Sequence, residues 1–222
     1  MKSTPLLWTS VLLAFTAGCT TPTKEHKIAT ITVAPEPKSA AWKDIASAAD
    51  EDRIDRLGLA WFEGLADAKP KHSKEIADED VLLKPRAGLP FPAPTPGSYN
   101  CRLDTLGSTD RKTPEFQQFK PFFCYVQVDD QGHLSIVKQT GSRRPAGGLW
   151  EDDDPNRMIF LGSLALGDEK EPLAYGQDPS RDTAGVFERI APFRWRLVIP
   201  WPSSGAKIEV FELTPVADQP PG

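Results

Sequence analysis

Apolar positions along the chain follow two periods, and the change falls near residue 97. In the first stretch, Ile54, Leu57, Trp61, Leu65 and Ala68 recur at spacings of three and four, which draws one apolar face on a helix. Asp50, Glu51 and Asp52 precede that face and suit the first turn of a helix, where negative charge is favoured. Pro70 should end the run, and Ser73 reads as an N-cap for "KEIADEDVLL", with Ile76, Leu82 and Leu83 available to pack. The pattern predicts two helices, 42–68 and 73–83, forming a helical hairpin over 39–84. Trp42, Trp61 and Phe62 read as core. "KPRAGLPFPAPTPG" then carries too many prolines for a helix or a central strand, so 85–97 reads as an extended connector with Leu89 and Phe91 tucked in.

Beyond residue 97 the period is two. "YNCRLDTL" sets Tyr99, Cys101 and Leu103 against Asn100, Arg102 and Asp104, and "FFCYVQV" alternates likewise. "DDQG" supplies turn chemistry before "HLSIVKQTG". "RMIFLGSLALG", "GVFERI", "RWRLVIPW" and "KIEVFELTP" complete a set of about eight short strands. Such a set reads as an antiparallel sandwich or barrel, and closure into a barrel removes exposed edges. The reading is an α+β chain: a helical hairpin, then an antiparallel β-barrel of about eight strands over 98–216 and a disordered tail at 217–222. In outline the barrel resembles those of lipocalins and avidin.

The first residues change where such a domain would live. Lys2 gives a positive start, and Leu6–Ala17 is mostly apolar and uncharged, too short for a spanning helix of about 20 apolar residues. Residues 1–18 read as a signal peptide. Ala17 and Gly18 stand before Cys19, an arrangement that resembles the lipobox of bacterial lipoproteins, although Thr16 stands where leucine is usual. The resemblance implies an acylated Cys19, a membrane anchor, and, with Thr20 rather than aspartate next, an outer-membrane destination facing the periplasm. The alternative is an ordinary cleaved signal. Residues 19–38 read as a flexible tether reaching roughly 60 Å when extended. In an exported chain the two remaining cysteines, Cys101 and Cys124, suggest one disulfide, with two separate buried thiols as the alternative.

Composition adds limits. The chain is 39% hydrophobic and 26% charged, ordinary for a globular protein, with 22 prolines in 222 residues that favour strands with structured turns and stiff linkers. The net charge of −5, with "SRR" at 142–144 as the lone basic cluster, argues against a nucleic-acid partner.

Several ordered motifs resemble a known family. "ADEDRIDRLGLAWFEGLADA", "GSYNCR", "FFC", "TGSRRPAGGLW", "DDDPNRMIFLGSLALGD", "YGQDPSRDTAGVFERI" and "WRLVIPWP" are similar to DUF4893, a family of unknown function found mainly in alphaproteobacteria. The resemblance covers roughly 40–215. It implies the domain limits and a Cys101–Cys124 pairing and carries no activity with it.

The candidate chemistry sits in three charged stretches. In "YGQDPSRDTAGVFERI", Asp178, Arg181 and Asp182 suit a turn whose charges pair with one another. Glu188 shares a face with Val186 and Ile190, which points it inward and demands a partner from Arg181, Arg189, Arg194 or Arg196. In "TGSRRPAGGLW", Arg143 and Arg144 among glycines could bind an anion, but no P-loop lysine follows. "EDDDPN" reads as a solvated hairpin turn rather than a calcium site. His26, His72 and His133 are scattered, no metal-ligand spacing or nucleophile elbow is present, and no cofactor is implied. The expectation is a ligand-binding barrel that takes a small or lipid-like ligand at its mouth, near Arg143, Arg144, Asp178, Arg181, Asp182, Glu188 and Arg189. A module for an envelope protein partner, recognised by an exposed aromatic loop near Trp150 or Trp201, is the second possibility. A hydrolase using Asp178, Asp182 or Glu188 is the third.

Overall fold

The computed structural model describes residues 36–129 and 132–217. The stretch expected to be a signal peptide, Cys19, most of the expected tether and the tail from 218 lie outside the described residues. Three helices open the described chain: α1 (Ala40–Lys43), α2 (Ala48–Asp55) and α3 (Leu57–Asp78). Ser47 caps α2 by accepting from the Asp50 amide, and Asp50 and Glu51 sit in its first turn.

The boundaries differ from the periodic reading. The apolar run from Ile54 is split at Arg56, and Pro70 lies inside α3 instead of ending it. The helix bends two residues later, at His72 (φ −128°, ψ 29°), so Ser73 is not a cap. Packing explains the continuation. Leu65, Ala68 and Ile76, on either side of the bend, are buried in one cluster with Leu106, Phe116, Ile208 and Val210 of the barrel. Burial of that face outweighs the hydrogen bond that proline removes.

Nine strands follow: β1 (Gly97–Ser108), β2 (Phe116–Gln118), β3 (Phe122–Val128), β4 (Leu134–Lys138), β5 (Arg143–Glu151), β6 (Met158–Leu166), β7 (Asp182–Ala191), β8 (Arg194–Pro200) and β9 (Ala206–Pro215). From β3 to β9 each strand pairs antiparallel with the next, and β9 pairs back onto β1 from Ala206↔Ser108 to Pro215↔Tyr99. The other edge of β1 is shared. Its first half pairs β3 and its second half pairs β2, so the two short strands fill one position. The result is a closed eight-position antiparallel barrel with a short helical segment before it. β2 has one apolar residue, Phe116, in three, which leaves no alternation to read.

Two layers of core follow from the alternation. Inside the barrel, Tyr99, Cys101, Phe160, Phe187, Trp195, Phe211 and Leu213 form a tight cluster. Tyr99 and Trp195 meet edge to face with centroids 5.9 Å apart, a favoured aromatic geometry. Cys101 and Cys124 are disulfide-bonded within this cluster, their Cα atoms 5.9 Å apart. On the outer wall, the helices cover one side. Trp42 and Ile54 pack on Ile159, Leu161, Ala184 and Val186, while Trp61 and Leu65 pack on Leu106, Val198 and Ile208.

The connector is held differently from its prediction. Phe91 is 82% exposed and Leu89 is at the surface. Backbone groups fix the segment instead: the Leu89 amide donates to Arg189 O at 2.8 Å, and Trp195 Nε1 donates to Pro92 O at 3.0 Å. Phe62, expected in the core, is 70% exposed. The "EDDDPN" loop forms the β5–β6 turn but is not merely solvated. Buried Asp152 accepts from Trp42 Nε1 and Arg157 Nε, and Asp153 accepts from the Lys38 amide and Ser39 Oγ, so the turn anchors α1.

Candidate functional site

The predicted residues do not form one site. Asp178 Oδ1 accepts from the amide and hydroxyl of Ser180, and these bonds hold its carboxyl below the ordinary range. Arg181 Nη1 donates to Glu169 Oε1 and Oε2 at 2.7 and 2.9 Å, while Asp178 lies 3.4 Å from its Nε. Glu169, from the β6–β7 loop, is thus the main partner. Asp182 opens β7 and accepts from the Gly176 amide. Burial, with the nearby charges of Asp50 and Asp178, pushes its carboxyl up. Most of the charged stretch is architecture at one rim of the barrel.

Glu188 faces the opposite way from the inward reading. Val186, Glu188 and Ile190 do share a buried face, but it is the outer wall beneath the helices. The partner is Arg196, whose Nε donates to Glu188 Oε2 at 2.6 Å. Arg196 Nη1 donates to the carbonyls of Leu82 and Lys84, and the guanidinium lies 5.0 Å from the Trp61 ring centroid. Arg189 is spent on the connector, donating to Pro90 O and Phe91 O. Arg144 is spent on backbone as well, donating to Gly141, Gly167 and Glu169 carbonyls. A groove of about 880 Å³ between α3, Arg86, Gly88 and Arg157 has Glu188 on its floor. That carboxylate already holds Arg196.

Arg143 is placed otherwise. It starts β5 at the barrel's mouth and donates to Ser203 Oγ at 2.6 Å. The mouth is the end built by the loops after β1, β4, β6 and β8. Here the aromatic packing of the barrel gives way to a pocket of about 400 Å³, lined by Leu103, Thr105, Lys138, Arg143, Leu164, Ser204, Glu209 and Phe211 among others. A recess of about 100 Å³ adjoins it, sharing Arg143, Leu164 and Glu209 and adding Ser180, Asp182 and Trp201.

Lys138 and Glu209 were missed by the sequence reading. Both interrupt an inward apolar phase: Leu134, Ile136, Lys138 on β4, and Glu209, Phe211, Leu213 on β9. That interruption was a readable signal, but in "KIEVFELTP" the opposite phase, Ile208 and Val210, is equally apolar because the helices bury it. Which phase faces the lumen is decided by the helices. Burial raises the Glu209 carboxyl, opposed by Ser204, Arg143 and Lys138. Burial lowers the Lys138 ammonium, with Arg143 and Arg144 adding and Glu209 opposing.

Another perturbed carboxyl lies on the outer wall of the barrel. Asp104 is fully buried beneath the end of α3, and burial raises it to about 7. Arg102 beside it bridges Glu79 and Glu212, and Asp104 Oδ1 has no hydrogen-bond partner among the described residues. This network fastens the helix end to the wall. Among the described residues no cluster of three or more His, Cys, Asp and Glu could hold a metal ion.

Fold and site define a helix-flanked antiparallel β-barrel protein, packed at one end and hollow and charged at the other. The chain belongs to the family described as Domain of unknown function (DUF4893), whose match spans residues 42–213 and so takes in the helices as well as the barrel. No curated protein and no solved structure matches it.

Proposed function

We propose that this is an envelope lipoprotein that binds a small ligand through the mouth of its barrel. The observation that carries the binding reading is the uneven filling of the lumen. One end is closed by Tyr99, Phe160, Phe187 and Trp195, while the other keeps a pocket of about 400 Å³ in which core side chains and charges share one wall. That volume falls within the range of small-molecule sites, and convergent polar groups in an apolar pocket are the usual form of such a site. The envelope half of the proposal rests on the apolar leader and on Cys19. The test is native mass spectrometry of the full-length protein extracted from cell envelopes in mild detergent. A mass excess that disappears on denaturation is the expected result, and labelling with a radioactive fatty acid that is lost in Cys19→Ala checks the anchor. A bare polypeptide mass in repeated preparations would count against the ligand.

One observation favours a protein partner as a second reading. Phe91 and Phe193 are 82% and 75% exposed at the end opposite the mouth, and both sit in left-handed backbone (φ 60° and 53°), which non-glycine residues seldom adopt. Trp150 and Trp201 do not play this part. Trp150 packs beside His133, and Trp201 lies under Arg56. Cross-linking in cells through a photoreactive residue at 91 or 193 tests it. Adducts at these positions and none at the mouth would favour the partner reading.

A further inference from the structure

The ligand-binding reading can be taken one step further, to the chemistry of the ligand. Arginines that are partly or wholly withdrawn from water in this fold are matched with acceptors: Arg102 with Glu79 and Glu212, Arg157 with Asp152, Arg181 with Glu169, Arg194 with Glu212 and Arg196 with Glu188, while Arg144 and Arg189 hold backbone carbonyls. Lys138 breaks the pattern. Its ammonium lies over the Phe122 ring, 4.4 Å from the centroid, and 5.9 Å from that of Phe211, with no ion pair or hydrogen bond among the described residues. Arg143, exposed at the rim of the same pocket, contributes one nitrogen to Ser203 and forms no ion pair with a carboxylate among the described residues. Lys112 adds a third cation to the lining, against the single carboxyl of Glu209. A half-buried ammonium with no carboxylate in ion-pair contact is costly; the ring faces and the more distant Glu209 offset part of that cost.

We propose that the barrel mouth holds a ligand with an anionic head, carboxylate or phosphate, between Lys138 Nζ and the Arg143 guanidinium, with a short apolar body lying on Leu103, Leu164 and Phe211. Lysine supplies a point charge and arginine a directional fork, a combination suited to an oxyanion. Glu209 sets the pH dependence. The groups around it are Lys138 from β4, Arg143 from β5, Ser204 from the β8–β9 turn and Thr105 from β1, with Asp182 from β7 and Arg53 from α2 across the adjoining recess. In its neutral form Glu209 does not repel the head and can donate a hydrogen bond to it. As pH rises and Glu209 ionises, affinity falls.

The experiment is isothermal titration calorimetry and thermal melting of the full-length protein in detergent with four probes: octanoate, octyl phosphate, 1-octanol and inorganic phosphate. At least one of the two charged amphiphiles should raise Tm and bind at least tenfold more tightly than 1-octanol. Lys138→Met should remove that difference. Glu209→Gln should keep binding while flattening its pH profile. Arg143→Gln repeats the test if Lys138→Met fails to fold, as judged by circular dichroism. Inorganic phosphate acting as strongly as octyl phosphate would identify a free oxyanion as the source of the same head chemistry and remove the apolar body. Equal binding of 1-octanol and octanoate, unchanged in Lys138→Met, would overturn the anionic head and leave the ligand reading standing. No response to any probe, with a bare native mass, would overturn both.

Discussion

Arg196 is a fully buried guanidinium on the outer wall of the barrel, and its environment shows how a charge is tolerated there. Glu188 neutralises it, two carbonyls take Nη1, and the Trp61 ring covers one face. Removing one member strands the other, which costs about 3–5 kcal/mol for buried pairs. Arg196→Ala should lose that much in urea denaturation, and the double change Glu188→Leu with Arg196→Met should recover most of it. A milder effect belongs to Arg181→Ala, which frees Glu169 at a partly exposed site. About 0.5–1 kcal/mol is expected there, read as a small drop in Tm. Asp104 makes a pH prediction. Burial pushes its folded carboxyl up to about 7, above its unfolded value, so the folded state binds the extra proton between the two. Stability from this group is fully present below the unfolded value and is lost as pH rises through about 7. Asp104→Asn should therefore gain Tm relative to the parent as pH goes from about 5 to 8, whereas a constant difference would show that Asp104 does not titrate there. Glu188 was legible as a buried charge needing a cation, because Val186 and Ile190 share its phase. Which of four arginines meets it was not, since Arg196 reaches it through the pairing of β7 with β8.

At the scale of elements, the helical segment and the barrel meet through glycine. A Cβ added at Gly64 of α3 would lie 2.9 Å from Ile208 Cγ2 and 3.2 Å from Leu106, and Gly107 of β1, at φ +70°, approaches Gly64 Cα directly. The helix lies this close to the wall because neither residue has a side chain. Gly64→Ala should cost about 1–3 kcal/mol by overpacking, although alanine favours the helix itself. If its Tm matches or exceeds that of the parent, the contact is looser than drawn. The same close packing explains why Pro70 failed as a stop signal: it is a local rule, and the buried residues on both sides of the bend belong to one interface. The strand pattern survived better. Period-two stretches became strands wherever four or more alternating residues ran together, and β2, three residues long, was invisible for want of a pattern.

For the whole molecule, closure is the controlling event. β1 and β9 lie at the two ends of the barrel sequence and pair along nearly their whole length, so the last strand must fold before the lumen exists. The disulfide shortens that search by linking β1 to β3 across 23 residues. A loop of that size is worth about 3 kcal/mol in the chain-entropy picture, so Cys101→Ser with Cys124→Ser, or reductant on the parent, should lower Tm by several degrees. The sequence by itself determined the helix-then-strand order, the barrel class and the turn chemistry, and it left a Cys101–Cys124 disulfide as one of two readings that the structure decides. Those follow from period, turn residues and cysteine count, which act over a few neighbours. The tertiary structure decided which face of each strand looks inward, because helices bury the outer wall and make both phases apolar. It also decided which charges meet, because Lys138, Arg143 and Glu209 are assembled around one pocket by the closing of the sheet.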